Sequence, residues 1–276
     1  VMLLVFSLLL CVALSYGSEA YVIKEYIANL KAEPKVTAET VTQAQCLDPV
    51  VILKDGAWCL VSLSRQQNYQ GYIEKNKLIN WNHPHGQAYV VLVKNLALRD
   101  KPNGKLILSL PFAAPVTVIS ELGDYFRIAT YKGLLYAKKS ELRPLNGNPI
   151  QAKAMIATAK GFLGVPYLWG GVGPNGFDCS GFTWAVAASY GWYIPRDAKP
   201  QYLYEQFIAI DRNKLLPGDL VFFTTYKEGP SHVGIYIGNG QFINAASSTG
   251  ITIASLDSPY YKERYLGARR MPFVIQ

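Results

Sequence analysis

Three side chains in the second half of this sequence have types and spacing suited to nucleophilic acyl transfer: Cys179, His232 and Asn244. Cys179 stands in FDCSGF directly after Asp178, a residue type that caps helices, and the run that follows has helical spacing. The thiol is therefore expected in the first turn of a helix, where free backbone N–H groups and the helix dipole stabilise a thiolate. The same N–H groups can hold a developing oxyanion. A small cysteine packed at a helix start would leave the same local pattern, so position alone does not decide.

His232 tips the balance. His83 and His85 fall in WNHPHGQ, read as a linker, so the segment carrying Cys179 contains one histidine. It opens an apolar strand, HVGIYIG, after a Gly–Pro–Ser turn, which is a natural cleft edge. The strand then folds back through GNG, and Asn244 on the return strand can lie beside the ring. Its side-chain oxygen is expected to accept the Nδ1–H bond and orient the imidazole.

The elements that must position these groups change character along the chain. From Ile150 an Ala-rich helix, a Gly-rich loop and the Cys179 helix precede four apolar strands: DLVFFT, HVGIYIG, QFINAA and ITIAS. Helices first and antiparallel strands afterwards describe an α+β domain of papain-like layout over residues 150–276. Two earlier segments, residues 20–80 and 87–145, repeat one plan. NLKAEP, GAWCLVSL and GYIEKNKL in the first answer LALRDKP, GDYFRIAT and LLYAKKSEL in the second. Short strands at regular spacing suggest two small all-β barrels, joined by a linker at 81–86.

Composition sets the outer bounds. Of 276 residues 50% are hydrophobic and 17% charged, so a folded chain is expected. Residues 1–17 are uncharged and too short for a comfortable membrane span, and they read as a signal peptide with cleavage after Gly17 or Ala20. The absence of a positive n-region and the initial Val place the expected start upstream. A secreted protein without stable membrane insertion follows. The net charge of +8 favours anionic surfaces, but no basic run interleaved with aromatics points to nucleic acid. Cys11 leaves with the signal segment. Cys46 and Cys59 are open between a disulfide and two buried thiols, which leaves Cys179 as the odd thiol. Neither a His/Cys cluster with zinc spacing nor a nucleotide motif occurs, so no metal or cofactor is expected.

The run PYLWGGVGPNGFDCSGF, followed by IPRDAKPQ, LLPGDLVFF and SHVGIYIGNGQFINAAS, resembles the NlpC-type cysteine peptidases of peptidoglycan. The duplicated upstream pattern resembles tandem bacterial SH3-like domains, which implies targeting or substrate positioning. The peptidase resemblance implies Cys179 as nucleophile and His232 as base, with Asn244 where the family usually has His. It further implies cleavage of stem peptides at the γ-D-glutamyl–diamino acid bond. Asp178 and Ser180 would recognise the free amine of an N-terminal L-Ala, and Tyr167 would line the cleft near the oxyanion. Arg196, Asp197 and Gln201 match a family block and are equally readable as loop scaffolding. An amidase or cross-bridge endopeptidase with the same triad is the enzymatic alternative. The non-enzymatic one is an inactive wall-binding protein. An acyltransferase of related fold is disfavoured, because its permuted order places His before Cys.

Overall fold

The structure, a computed structural model, describes residues 20–276, so the expected signal segment with Cys11 lies outside the described residues. Two seven-stranded antiparallel sheets come first. In the first, strands Thr40–Gln45, Ile27–Lys31, Tyr69–Glu74, Trp58–Leu63, Pro49–Lys54, Tyr21–Ile23 and Leu78–Asn80 lie side by side in that order. The second sheet, running from Gln87–Val91 to Leu142–Pro144, repeats the same order strand for strand. Period-two alternation explains each sheet's sidedness. In Asn95–Arg99, Leu96 and Leu98 are buried between Asn95, Ala97 and Arg99. Phe126 and Ile128 do the same in Tyr125–Thr130, and both pairs join one core.

The third region holds the chemistry. Helix α1 (Ala152–Lys160) buries Ala152, Met155, Ile156 and Ala159, one stripe at helical spacing. Helix α2 (Cys179–Ala188) is buried on every side, and the short α3 (Ala198–Leu203) follows. An antiparallel sheet then orders Ile208–Ile210, Tyr265–Arg270, Leu220–Phe223, His232–Gly238, Gln241–Ala246 and Gly250–Ser255. Helix α4 (Pro259–Arg264) leads into the Tyr265 strand. Because α2 packs on the His232 strand, the thiol helix and the imidazole strand face one another. No helix among the described residues is long and apolar enough to cross a membrane.

The three regions share their packing. Phe112 and Ala113 of the second sheet belong to the core around α2, and Cys46 and Leu47 of the first belong to the core of the second. At the junction Arg65 is buried, with its guanidinium on Asp48, the Ala113 carbonyl and, at 3.3 Å, Gln45 Oε1. Its own carbonyl accepts the Trp184 indole N–H at 2.8 Å. Cys46 and Cys59 are free thiols in different clusters, which settles the open alternative against a disulfide between them.

Candidate active site

Helix α2 begins at Cys179 because Asp178 caps it, Oδ1 accepting the Gly181 N–H at 2.6 Å. A Cβ at Gly181 would lie 2.0 Å from the Gly171 carbonyl oxygen, so the Gly-rich loop and the helix start can pack this closely only with glycine there. Cys179 is 6% exposed. Its Sγ lies 3.9 Å from the Ser231 carbonyl and takes the Val233 backbone N–H, so it sits at either shoulder of His232.

His232 is 8% exposed, and its Nε2 lies 2.8 Å from Asn244 Oδ1. The expected partner nitrogen was Nδ1; the structure uses Nε2, which leaves Nδ1 as the basic nitrogen. Asn244 reaches the ring along the sheet face past Gly234, where a Cβ would stand 3.0 Å from Asn244 Cβ. Asn244 Nδ2 donates to the Thr252 carbonyl at 3.3 Å, which fixes the amide with its oxygen toward the histidine. Tyr261, which the sequence reading did not single out, donates its hydroxyl to the same oxygen at 3.3 Å and stacks on the His232 ring at 6.0 Å and 24°. The intervening turn takes its shape from Asn239 and Gly240, both at positive φ.

The electrostatics differ from the thiolate expected at a helix start. Burial, with the Asp178 carboxylate adding to it, pushes the Cys179 thiol up to about 12, although the Val233 and Ser180 N–H groups and Arg196 oppose the shift. Burial also lowers His232, against the Asn244 hydrogen bond that raises it. The resting pair is therefore a neutral thiol beside a neutral imidazole, and desolvation outweighs the helix terminus here.

Asp178 is fully engaged. Its Oδ1 accepts Gly181 N–H, Ser180 Oγ (3.3 Å) and Arg196 Nη1 (3.0 Å), and its Oδ2 accepts Gly170 N–H (2.9 Å) and Arg196 Nη2 (2.6 Å). A carboxylate offers about four lone-pair sites, so little remains for a substrate amine. Ser180 Oγ also accepts from Arg196 at 3.1 Å. Arg196 itself is buried, and its Nε donates to Thr42 Oγ1 of the first sheet at 2.8 Å. Gln201 is equally buried and holds the Ser180 and Pro195 carbonyls and the Thr183 hydroxyl. Tyr167 is half-buried and bridges to Phe177; burial, followed by the nearby Cys179 and Asp178, raises its hydroxyl pKa.

The first sheet supplies further groups at the cleft. The Tyr69 hydroxyl donates to Asp197, a carboxyl whose pKa burial raises and Arg196 partly restores. Trp169 donates its indole N–H to Glu39 Oε1 at 2.8 Å and meets Tyr226 edge-on at 5.6 Å. Tyr226 is close enough to feel Cys179, Asp178, Asp197 and Glu39 together. A cavity of about 460 Å³ lies on the Tyr69–Asp197 side, lined by Tyr69, Pro195, Arg196, Asp197 and Tyr204 among others, and neither Cys179 nor His232 is in its wall. Glu39 and Tyr69 carried no local signal, since only the tertiary fold brings them here.

Residues 164–270 match the NlpC/P60 family. The chain is also 32% identical over 231 residues to the gamma-D-glutamyl-L-lysine dipeptidyl-peptidase of Bacillus subtilis, covering 80% of this chain and 77% of that protein. The chain belongs to the NlpC/P60 family. A crystal structure of an NlpC/P60 family protein from Bacillus cereus superposes with a TM-score of 0.79 at 26% identity, covering 91% of this chain and 99% of that one. The probable peptidoglycan endopeptidase LytE of Bacillus subtilis is 46% identical over 121 residues, 44% of this chain and 35% of that protein. The NlpC/P60 match thus includes Cys179, His232 and Asn244, and the wider likeness takes in the two β-sheet regions as well.

Proposed function

We propose that this chain is a thiol peptidase that hydrolyses the γ-D-glutamyl–diamino acid bond of peptidoglycan stem peptides, and that it releases the N-terminal dipeptide. The observation that carries this reading is the Cys179 thiol at a helix start beside His232, whose far nitrogen is held by Asn244. In the first step His232 Nδ1 takes the thiol proton as Sγ attacks the scissile carbonyl. The N–H groups at the start of α2 hold the oxyanion, and Tyr167 lines that side. The imidazolium then protonates the departing amine, and water activated by the same Nδ1 releases the acyl group. Asn244 keeps Nε2 protonated throughout.

Release of a dipeptide requires a closed end beyond the second residue. The first sheet forms that end through the Glu39–Trp169 and Thr42–Arg196 contacts. The free amine is then met by Asp197 and Glu39, with Tyr69 orienting Asp197, while Asp178 and Ser180 hold the site together through Arg196. The upstream regions, residues 20–80 and 87–145, act as SH3-like domains, and residues 150–276 form the catalytic domain. Residues 1–17 direct secretion, which places the enzyme outside the cell or at the wall.

The test is digestion of intact peptidoglycan and of free stem peptides by wild type and Cys179→Ala, with mass spectrometry of the products. L-Ala-γ-D-Glu released from free stem peptides by wild type alone supports the reading in full. Cleavage at an amide or cross-bridge bond would reassign the scissile bond. Absence of any thiol-dependent product would overturn the peptidase reading.

A further inference from the structure

The two upstream sheets present the same outward face in different chemistry. In the first, cross-strand neighbours Lys31–Tyr72–Leu60 run beside the pair Trp58–Glu74. In the second, the same positions are Arg99–Tyr136–Arg127 and Tyr125–Lys138. Their chain neighbours Leu30, Val61 and Ile73, or Leu98, Ile128 and Leu135, are buried, so these side chains point away from each core.

The first copy is already occupied by its own loop. Lys31 Nζ donates to the Ala38 carbonyl at 3.1 Å and to Thr40 Oγ1 at 3.0 Å, and Glu74 pairs with Lys77 at 2.5 Å. The same loop carries Glu39 to Trp169. In the second copy the corresponding loop, Asp100–Lys105, leaves a cavity of about 310 Å³ lined by Arg99, Asn103, Tyr125, Tyr136 and Lys138, with Glu141 also at its wall. Arg99 gives one Nη1 hydrogen bond, to the Gly104 carbonyl at 2.7 Å. The Lys138 side chain makes no hydrogen bond or ion pair among the described residues, although its backbone pairs with Tyr125 in the sheet. Behind Tyr136, Arg127 lies 5.9 Å from the ring centroid, and its buried Nε has no partner among the described residues.

We propose that this cavity in the second sheet binds a carboxylate-bearing peptide segment of the wall. The free edge of the Arg99 fork and the Lys138 ammonium match a planar carboxylate. The Tyr136 and Tyr125 rings give its carbon chain an apolar floor, and Glu141 faces a side-chain ammonium. Leu60 and Glu74 at the corresponding positions deny the first sheet that charge pattern. The site is separate from the catalytic cleft, and only the choice of stem peptide as ligand rests on the function proposed above.

The experiment uses full-length, ¹⁵N-labelled Cys179→Ala and the stem tripeptide L-Ala-γ-D-Glu-L-Lys acetylated at its N-terminus, which removes the amine the cleft is proposed to need. Amide shifts should move at Arg99, Asn103, Tyr125, Tyr136 and Lys138 as peptide is added. Adding Arg99→Gln and Lys138→Gln should weaken the Kd at least tenfold, as should amidating the peptide's carboxylates. Lys138→Gln alone leaves the Arg99–Gly104 bond intact and should weaken binding several-fold. In the Cys179 background, both substitutions should leave cleavage of the unblocked tripeptide unchanged, which confirms the fold. Absent shifts in the second sheet, or equal shifts with the amidated peptide, overturn the proposal. Shifts around position 179 and His232 report separately on the cleft and count against the free-amine reading instead.

Discussion

At the residue scale the site turns on one oxygen, Asn244 Oδ1, which serves both the His232 ring and the Tyr261 hydroxyl. A carboxamide cannot titrate, so His232 is left to titrate below its usual 6.5, where burial has pushed it. The sign of the pH dependence follows. The imidazole must be neutral to accept the thiol proton, so kcat/KM should rise through a limb below pH 6.5 and stay flat through neutrality. Asn244→Ala removes the contact that raises the ring, so the limb should move to lower pH while the rate falls. His232→Ala should cost far more, about 10²–10⁴-fold, the usual value of a positioned base. Asn244→His can bond both His232 and the Thr252 carbonyl and should retain activity. Tyr261→Phe loses one neutral hydrogen bond, about 1 kcal/mol or roughly fivefold in kcat, with KM unchanged. A rise in KM instead would place Tyr261 against substrate and end its assignment as a positioning residue.

At the element scale Arg196 ties the start of α2 to the first sheet. It is fully buried and joins Asp178, Ser180 and Thr42. Removing one partner of a buried ion pair leaves the other charged and unpaired, at a cost of about 3–5 kcal/mol. Arg196→Met should lower unfolding free energy by that order in urea titration, whereas Thr42→Val, which strands Arg196 Nε and Gln66 Oε1, should cost less, about 2–3 kcal/mol. If Arg196→Met is neutral, the pair is not the anchor. Much of this scale was legible from local pattern. Asp178 as cap, the α2 apolar run, the GNG turn and the repeated sheets all follow from periodicity and turn chemistry in the sequence. What the sequence left open depends on distant contacts. That Arg196 saturates Asp178, that Nε2 rather than Nδ1 meets Asn244, and that burial raises the thiol pKa all arise from packing.

At the scale of the molecule, the proposed dipeptide release would have substrate length set by a domain that does no chemistry. The Glu39–Trp169 hydrogen bond crosses from the first sheet to the Gly-rich loop, and Gly170 beside it sits where a Cβ would lie 2.8 Å from the Thr40 carbonyl. Arg65 keeps this arrangement rigid by joining all three regions at one buried point. A closed end of this kind would select against substrates that continue past the second residue, because extension meets protein and a blocked amine gives up its contacts to Asp197 and Glu39. Trp169→Ala together with Glu39→Ala should therefore raise cleavage of an N-acetylated stem peptide relative to the free peptide by at least tenfold. Asp197→Asn should raise KM for the free peptide about tenfold or more, the size of one charge-assisted contact, and leave the acetylated one unaffected. Side-by-side kcat/KM values for the two peptides would check both. An unchanged ratio in the double variant would mean the first sheet does not set substrate length, and the proposed dipeptidyl preference would have to come from the catalytic region alone.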